Sequence, residues 1–217
     1  MGLKRTATSC SLVTELLQRL LDRGAKTRLI ICSTKAEFLI QLACAIRSQD
    51  EDFHAIHEND LLARTIGVLA NSSNIQLGFC PSLESLRAYL SVDHAHGTGR
   101  SYELKSARQP KEPLLVILDM VALHSTTTEF SAQGLSRTFA AAVEFAAESF
   151  TDLIIYECKN AMDLVSTNKG ASLWDTKVPF LNGSVRLRSE QDKLGGRAVT
   201  VREIAQRWFE FGSGLDA

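Results

Sequence analysis

Asp119 has the clearest capacity for chemistry in this chain, because it directly follows the apolar run Leu114 to Leu118. An unbroken apolar run of this length is typical of a strand that is buried on both faces of a parallel sheet. A carboxylate at the end of such a strand can hold a magnesium ion against the phosphates of a nucleotide. The phosphates would also need the glycine-rich loop pattern G-x-x-x-x-G-K-[ST], which the sequence lacks. The pattern predicts a nucleotide-binding architecture without the loop that cradles phosphates.

Four strand candidates must position Asp119 and its neighbours. They are Arg28 to Cys32, Ile75 to Cys80, Leu114 to Asp119 and Leu153 to Glu157. Helix-patterned sequence separates them, as in a doubly wound α/β sheet. Near the end of the chain, Gly183 to Arg188 alternates apolar and basic residues and can pair with Ala198 to Val201. We expect a mainly parallel, twisted sheet flanked by helices, with an antiparallel C-terminal hairpin.

Length and composition fit a single globular domain that spans residues 1–217. Hydrophobic residues make up 45% of the chain and charged residues 23%, which excludes wholesale disorder. A net charge of -1 argues against an electrostatic grip on nucleic acid by the whole surface, although a local basic patch stays open. Within the domain we expect an N-terminal helical segment at 1–26, long loops at 93–112 and 159–177, and the antiparallel end at 183–211.

The five cysteines are odd in number and widely spaced, without a C-x-x-C pair. This pattern predicts buried, reduced thiols in an intracellular protein and gives no support to a metal site. The sequence shows neither a stretch typical of a signal peptide nor a run of ~18 apolar residues that could span a bilayer. We therefore expect no membrane association and a cytosolic or nuclear protein.

The order and content of these segments resemble the RecA-type recombinase core, in the version used by eukaryotic strand-exchange proteins and their paralogues. The resemblance covers about Arg28 to Phe211 and begins after the place of the family's phosphate loop. The segments that carry it are Leu29 to Phe38, Asn74 to Leu77 with Leu83 to Leu90, Leu115 to Leu123 with the metal-associated aspartate at Asp119, and Glu129 to Arg137. The resemblance implies a RecA-like fold for the whole domain.

Several positions depart from the pattern of the active enzymes in that family. Lys35 stands where they place the glutamate that orients the attacking water, and a cation cannot do that work. Glu157-Cys158 replaces the family's Asn-Gln at the end of the next strand. These departures imply that Asp119 is a structural remnant, that the chain has no catalytic residues, and that it needs no cofactor or metal.

The loop 159–177 lies where the family keeps a DNA-contacting loop, and it contains Lys159, Lys169, Trp174 and Lys177. Lysines neutralise phosphates and an aromatic ring stacks on an exposed base, so this composition suits single-stranded nucleic acid. An ordinary solvated loop whose Trp174 packs on the sheet is an equally open interpretation. Arg186 and Arg188 belong to a second basic segment, which forms either a basic stripe or an ordinary solvated face. If the chain binds DNA as the resemblance implies, they would contact phosphates together with the lysines.

The resemblance implies a non-catalytic subunit similar to members of the Shu complex. Such a subunit forms a heterodimer with another RecA-like subunit, contacts the recombinase filament, binds single-stranded or forked DNA, and assists homologous recombination and DNA repair in the nucleus. The expected docking surfaces are a helix face and the open sheet edge left by a missing strand. The helix face consists of Leu12, Leu16, Leu17 and Leu20.

Two other hypotheses stay open at this point. The first is an ATPase-dead, RecA-like scaffold subunit of an Elongator-type complex, which would bind transfer RNA instead of DNA. The second is a nucleotide enzyme with an unusual site, which would require Asp119 and Glu37 to converge on one cleft.

Overall fold

The computed structural model describes residues 2–52, 66–92, 112–162, 169–182 and 198–212. Within these ranges the strands are β1 (Arg5–Cys10), β2 (Thr27–Ile31), β3 (Ile75–Phe79), β4 (Leu114–Leu118), β5 (Asp152–Cys158), β6 (Lys177–Pro179), β7 (Ala198–Thr200) and β8 (Glu210–Phe211). The helices are α1 (Val13–Arg23), α2 (Lys35–Asp52), α3 (Ile66–Ser72), α4 (Leu83–Ser91), α5 (Met120–Ser125), α6 (Ala132–Glu148) and α7 (Val201–Ala205), with a 3-10 helix at Gly170–Asp175. In the described part of the chain, no helix has the length and apolar character needed to cross a membrane.

Six strands form one sheet in the order β3-β2-β4-β5-β1-β8, and every neighbouring pair is parallel. Strands β6 and β7 form a separate antiparallel pair. The predicted fold class is therefore confirmed. The four strands predicted from the sequence are present as β2, β3, β4 and β5, each within one residue of its expected limits.

Strand β1 occupies part of the segment that was predicted as helical, and it corrects that prediction. It pairs with β5 on one side and with β8 on the other, so it lies inside the sheet. The expected open edge left by a missing strand is therefore wrong, because β3 and β8 are the edges of the described sheet. The segment reads Arg-Thr-Ala-Thr-Ser-Cys, and only Ala7 and Cys10 in it are buried and apolar.

Side chains alternate between the two faces of the sheet because successive residues of a strand point in opposite directions. Leu29 and Val116 face α1 and α2, whereas Ile30 and Ile117 face the side covered by α4 to α7. All four are fully buried. Burial of each such side chain stabilises the fold by about 1.5–3 kcal/mol relative to exposure.

Helix α1 uses its leucine stripe to cover the chain's own sheet. Leu16 and Leu20 are 0% exposed, and Leu12 and Leu17 pack, partly buried, against the same core. The prediction that this face binds a partner is wrong for Leu16 and Leu20, because a helix between two parallel strands must bury its apolar stripe on the sheet. Gly24 ends α1 with a φ of 62°, a left-handed conformation that favours glycine.

The antiparallel end is present as a two-stranded sheet. Strand β7 pairs with β6, from the preceding loop, in the register Val178 to Val199. The predicted partner strand, 183–188, lies outside the described residues, as does 93–111 of the first long loop.

Candidate functional site at the carboxyl edge of the sheet

Polar and sulfur-bearing side chains gather where β2, β4 and β5 end. Cys32 follows β2, Asp119 follows β4, and Glu157 and Cys158 are the last residues of β5. Because these neighbouring strands are parallel, their carboxyl ends meet at one edge of the sheet, the usual place for a ligand site in an α/β protein.

Asp119 is held by three different interactions. Its Oδ1 accepts a hydrogen bond from the backbone N–H of Cys158 at 3.0 Å, and its own N–H donates to the carbonyl of Tyr156 at 2.8 Å. Its Oδ2 accepts from Nζ of Lys169 at 2.9 Å. The side chain of Asp119 is 9% exposed and that of Lys169 is 23% exposed, so this ion pair is largely shielded from water.

Asp119 also has a left-handed backbone, with φ 60° and ψ 36°. Aspartate adopts this region more readily than most residues, but it still carries a strain of order 1 kcal/mol or more. The conformation turns the chain from β4 directly into α5. It also directs the carboxylate towards β5, where Cys158 and Lys169 reach it.

Glu157 is a second buried carboxyl group at this edge, with 0% exposure. Its Oε1 accepts from the N–H of Val121 at 2.6 Å and its Oε2 accepts from the N–H of Ala122 at 3.2 Å, so it anchors the first turn of α5. Burial, followed by the negative charge of Asp119, raises its pKa well above the usual value for a glutamate. Glu157 therefore favours the protonated form more than an ordinary glutamate does, and Lys169 is left to balance Asp119.

The free thiol of Cys32 lies near the same carboxyl groups. Burial first, then the charges of Glu157 and Asp119, raise its pKa well above the usual value. A thiol in this environment stays protonated, which makes it a poor nucleophile and a poor metal ligand. Cys32 therefore belongs to the apolar packing of the sheet.

Glu37 has a structural task at the start of α2. Its Oε2 accepts from the backbone N–H of Thr34 at 2.9 Å and from Oγ1 of Thr34 at 2.8 Å. In return the N–H of Glu37 donates to that hydroxyl at 3.2 Å, which completes a capping box. The hydrogen bond from the backbone of Thr34 lowers the pKa of Glu37. Its carboxylate is thus engaged in the cap and does not reach Asp119 by any contact that the structure describes.

The connection from β1 to α1 consists of Ser11 and Leu12 alone. In a nucleotide-binding domain the phosphate loop stands between such a strand and helix. Here Oε2 of Glu15, in the first turn of α1, accepts a hydrogen bond from the N–H of Ser11 at 3.1 Å. A phosphate at this helix start would lie beside the carboxylate of Glu15, which also pairs with Arg19 at 2.7 Å.

Cys10 and Cys158 form a disulfide at the same edge, between the ends of β1 and β5. The parallel register places them opposite each other, with their Cα atoms 4.9 Å apart. The prediction that all cysteines are reduced is therefore wrong for this pair, because 148 residues separate them and only the fold brings them together. Cys32, Cys44 and Cys80 are free, as predicted.

The predicted DNA-contacting residues have different surroundings. Lys159 and Lys177 are exposed, whereas Lys169 is bound to Asp119. Trp174 is 2% exposed and packs edge-on against Phe211, with ring centroids 5.1 Å apart. The prediction that Trp174 stacks on a base is therefore wrong, and the alternative that it packs on the sheet is right. Arg186 and Arg188 lie outside the described residues.

Gly170 explains how Lys169 reaches Asp119. Its φ is +80°, and a Cβ atom there would lie 2.9 Å from Cγ and 3.2 Å from the backbone N of Lys159. Only a glycine allows the returning loop to pass this close to the end of β5. The loop therefore returns to the sheet at the point where the Lys169 side chain meets Asp119.

The site offers little to a metal ion. Among the residues that the structure describes, no three His, Cys, Asp or Glu side chains are grouped in a way that could hold one. The ammonium of Lys169 already neutralises Asp119, the better placed of the two carboxyl groups. The contacts of Asp119 and Glu157 fix α5 and the loop after β5 to the sheet.

Sequence reasoning identified Asp119 but missed three partners around it: Lys169 as its counter-ion, Glu157 as an anchor for α5, and the Cys10–Cys158 bridge. Glu157 did carry a signal, since a carboxyl group at the end of a buried strand needs hydrogen-bond donors. Lys169 carried none, because 50 residues separate it from Asp119.

The all-parallel sheet with polar residues at its carboxyl edge defines an α/β protein of the doubly wound class. The family model described as SPAC22G7.03-like matches residues 5–211, and the chain belongs to that family. That description specifies no reaction and no ligand. A comparison with curated proteins finds no match.

Proposed function

We propose that this chain is a non-catalytic, recombinase-paralogue-like subunit that forms a heterodimer with another RecA-like subunit, binds DNA and assists homologous recombination in the nucleus. One observation carries the non-catalytic part of the proposal, namely the 2.9 Å contact between Nζ of Lys169 and Oδ2 of Asp119. In a RecA-like enzyme the corresponding aspartate would face the magnesium ion of a nucleotide. Here a cation of the chain itself holds that place.

The start of α1 supports the same proposal. Only Ser11 and Leu12 join β1 to α1, and Glu15 satisfies the N–H of Ser11. Backbone N–H groups at a helix start attract phosphate, and a carboxylate among them repels it. A nucleotide would lose both its phosphate cradle and its metal contact at this edge.

The proposed DNA binding rests on two exposed lysines, Lys159 and Lys177. Lys159 follows β5 and its position is fixed by the close approach of Gly170, while Lys177 belongs to β6. Side chains on fixed backbone can meet successive phosphates with little loss of freedom. Lys159 and Lys177, with Arg186 and Arg188, remain the proposed DNA contacts. Lys169 is no longer among them, because it forms an ion pair with Asp119.

The β3 edge of the sheet is a better candidate for a partner-binding surface than α1, whose Leu16 and Leu20 are buried. β3 is an edge of the described sheet, and its outer side can accept another strand. Leu77 on β3 is 53% exposed. Exposed apolar side chains continue on the neighbouring helices, with Leu39 50%, Ile40 52% and Leu69 60% exposed. Exposed apolar side chains on neighbouring elements are candidates for a protein interaction site.

The test is fluorescence anisotropy of labelled forked DNA, single-stranded DNA and transfer RNA across a salt series, with the chain alone and with its co-purified partner. We expect DNA binding that weakens with salt and is reduced in the double variant Lys159→Ala/Lys177→Ala. The charge-matched control Lys26→Ala/Arg47→Ala should bind as the wild type does. For single strands, loss of two phosphate contacts should lower the salt slope by about 1.4.

Two outcomes would contradict the proposal. A preference for transfer RNA would favour the Elongator-type scaffold, and no binding to any of the three nucleic acids would remove the DNA-binding role. The mononucleotide ATP serves as the control ligand throughout, since the proposal excludes saturable binding of it at Asp119.

A further inference from the structure

A concave surface lies at the amino edge of the sheet, opposite the carboxyl edge that carries Asp119. Arg5 and Glu210 are the first residues of the parallel strands β1 and β8, so they lie at this edge, far from Asp119 at the other end of the strands. A cavity of about 410 Å³ opens here, lined by two segments of chain, residues 2–5 and residues 206–210. Small-molecule and nucleotide sites have volumes of this order, roughly 300–1,000 Å³. We call it the amino-edge cleft.

The residues that line the amino-edge cleft carry a net positive charge. Lys4, Arg5 and Arg207 contribute three cations, and Glu210 contributes the one carboxylate among the lining residues. In the described part of the chain no ion pair engages these three cations. The nearby Arg202 differs, because it pairs with Asp175 at 3.1 Å and lies over the ring of Phe211. The cleft therefore carries a local positive charge on a chain whose net charge is -1.

The backbone around these cations is fixed. The N–H of Lys4 donates to Oδ1 of Asp152 at 2.9 Å, and the carbonyl of Lys4 accepts from the N–H of Leu153 at 2.9 Å. On the other side of the cleft, the N–H of Arg207 donates to the carbonyl of Ile204 at 3.3 Å. These hydrogen bonds fix the backbone positions from which the exposed side chains of Lys4, Arg5 and Arg207 extend.

Trp208 adds an aromatic ring and an unused donor. It lines the amino-edge cleft, and its Nε1 is buried with no hydrogen-bond partner in the described structure. A buried donor without an acceptor is unfavourable, and the ring of Trp208 also packs, partly buried, against the core. Aromatic rings beside cations are the usual means by which proteins bind the bases and phosphates of single strands.

We infer that the amino-edge cleft binds a nucleotide unit of single-stranded nucleic acid, with Lys4, Arg5 and Arg207 on the phosphates and Trp208 on the base. The inference rests on the proposed DNA-binding function and adds a second contact region to it, at the end of the sheet opposite Lys159. A single nucleic-acid strand that contacts both the amino-edge cleft and Lys159 would run along the side of the domain near β1 and β5.

The test uses a labelled oligothymidylate, with anisotropy for affinity and intrinsic tryptophan fluorescence for contact with the ring. Lys4→Ala/Arg207→Ala should weaken binding about tenfold at low salt and lower the salt slope by about 1.4, the value for two phosphate contacts on a single strand. Trp208→Phe keeps a ring but removes the N–H, and it should abolish most of the quenching caused by the oligonucleotide. The charge-matched control is Lys26→Ala/Arg47→Ala, with far-ultraviolet circular dichroism to confirm that each variant is folded.

Three results would overturn the inference. Binding that survives Lys4→Ala/Arg207→Ala but fails in Lys159→Ala/Lys177→Ala would leave the proposed function intact and remove the amino-edge cleft from it. Absence of binding by the wild type would contradict both together. Displacement by thymidine 5′-monophosphate at the affinity of the oligomer would assign the cleft to a free nucleotide instead of a strand.

Discussion

Nζ of Lys169 lies 2.9 Å from Oδ2 of Asp119, in a pair whose side chains are 23% and 9% exposed. The contact joins the loop after β5 to the end of β4 and cancels the charge of the residue best placed for metal binding. Because Glu157 is a second carboxyl group beside it, loss of the ammonium would leave two acidic groups together in a poorly hydrated place.

Lys169→Met should destabilise the protein. Breaking a fully buried ion pair costs about 3–5 kcal/mol, and partial exposure of Lys169 reduces this to about 1–3 kcal/mol. Urea unfolding at neutral pH measures the change, with the exposed Lys177→Met as the control, which should stay within about 0.5 kcal/mol of the wild type. The double variant Lys169→Met/Asp119→Asn should recover part of the loss. Equal stability of Lys169→Met and the wild type would show that the pair contributes nothing.

Glu157→Gln should change how stability depends on pH. The folded-state pKa of Glu157 is raised by burial and by Asp119, so its contribution is fully present below the unfolded pKa, near 4.5, and is lost as pH rises through the folded value. The glutamine variant cannot ionise, and it should therefore gain stability relative to the wild type between pH 5 and pH 8. Urea midpoints across that range test this, with the exposed Glu148→Gln as the control. A constant difference between wild type and Glu157→Gln at all pH values would contradict it.

His124 should make the protein sensitive to acid. Burial first, then the charge of Arg87, lower its pKa to about 4, while its Nε2 lies 2.9 Å from Oγ1 of Thr138 and the carboxylate of Glu129 acts in the opposite direction. A lowered pKa contributes stability above the unfolded pKa of 6.5, and that stability is lost as pH falls towards 4. Between pH 7 and pH 5 the wild type should lose about 2 kcal/mol more than His124→Gln.

Thermal or urea unfolding of the wild type and His124→Gln at the two pH values measures that difference. Parallel curves for the two proteins would show that His124 is protonated in the folded state as easily as in the unfolded chain.

The Cys10–Cys158 bridge should stabilise the oxidised protein. It closes a loop of 148 residues, which by the chain-entropy model stabilises the fold by about 5 kcal/mol. Cys10→Ser/Cys158→Ser should lower the unfolding free energy by up to that amount under oxidising conditions, and the difference should disappear in excess dithiothreitol. Cys44→Ser is the control, because Cys44 is a free cysteine. An intact mass two hydrogens heavier than the bridged form, in protein purified without reductant, would contradict the bridge.

The strands at the centre of the sheet could be predicted from the sequence because burial on both faces demands continuous apolar residues. Leu114–Leu118 is the clearest case, with all five side chains buried. Strand β1 could not be predicted in this way because it lacks a continuous apolar run. Four of its residues, Arg5, Thr6, Thr8 and Ser9, are polar and partly or fully exposed. Its place is set by β5 and β8 on either side, which local sequence does not reveal.

The site was only half predictable for a similar reason. Asp119 could be placed at a strand end from its neighbours in sequence, but Lys169 and Trp174 come from a loop whose course depends on tertiary packing. Trp174 is an aromatic residue in a segment that also contains lysines, and this composition suits either stacking on a base or packing in a core. Its edge-on contact with Phe211, near the end of the chain, decides for the core.

The most direct test of the role assigned to Lys169 is titration of the protein with a fluorescent ATP analogue in the presence and absence of magnesium. We expect no saturable, magnesium-dependent binding, because the ammonium of Lys169 occupies the face of Asp119 and Glu15 stands at the start of α1. Saturable binding that requires magnesium and is lost in Asp119→Asn would contradict the proposal and identify this edge of the sheet as a working nucleotide site.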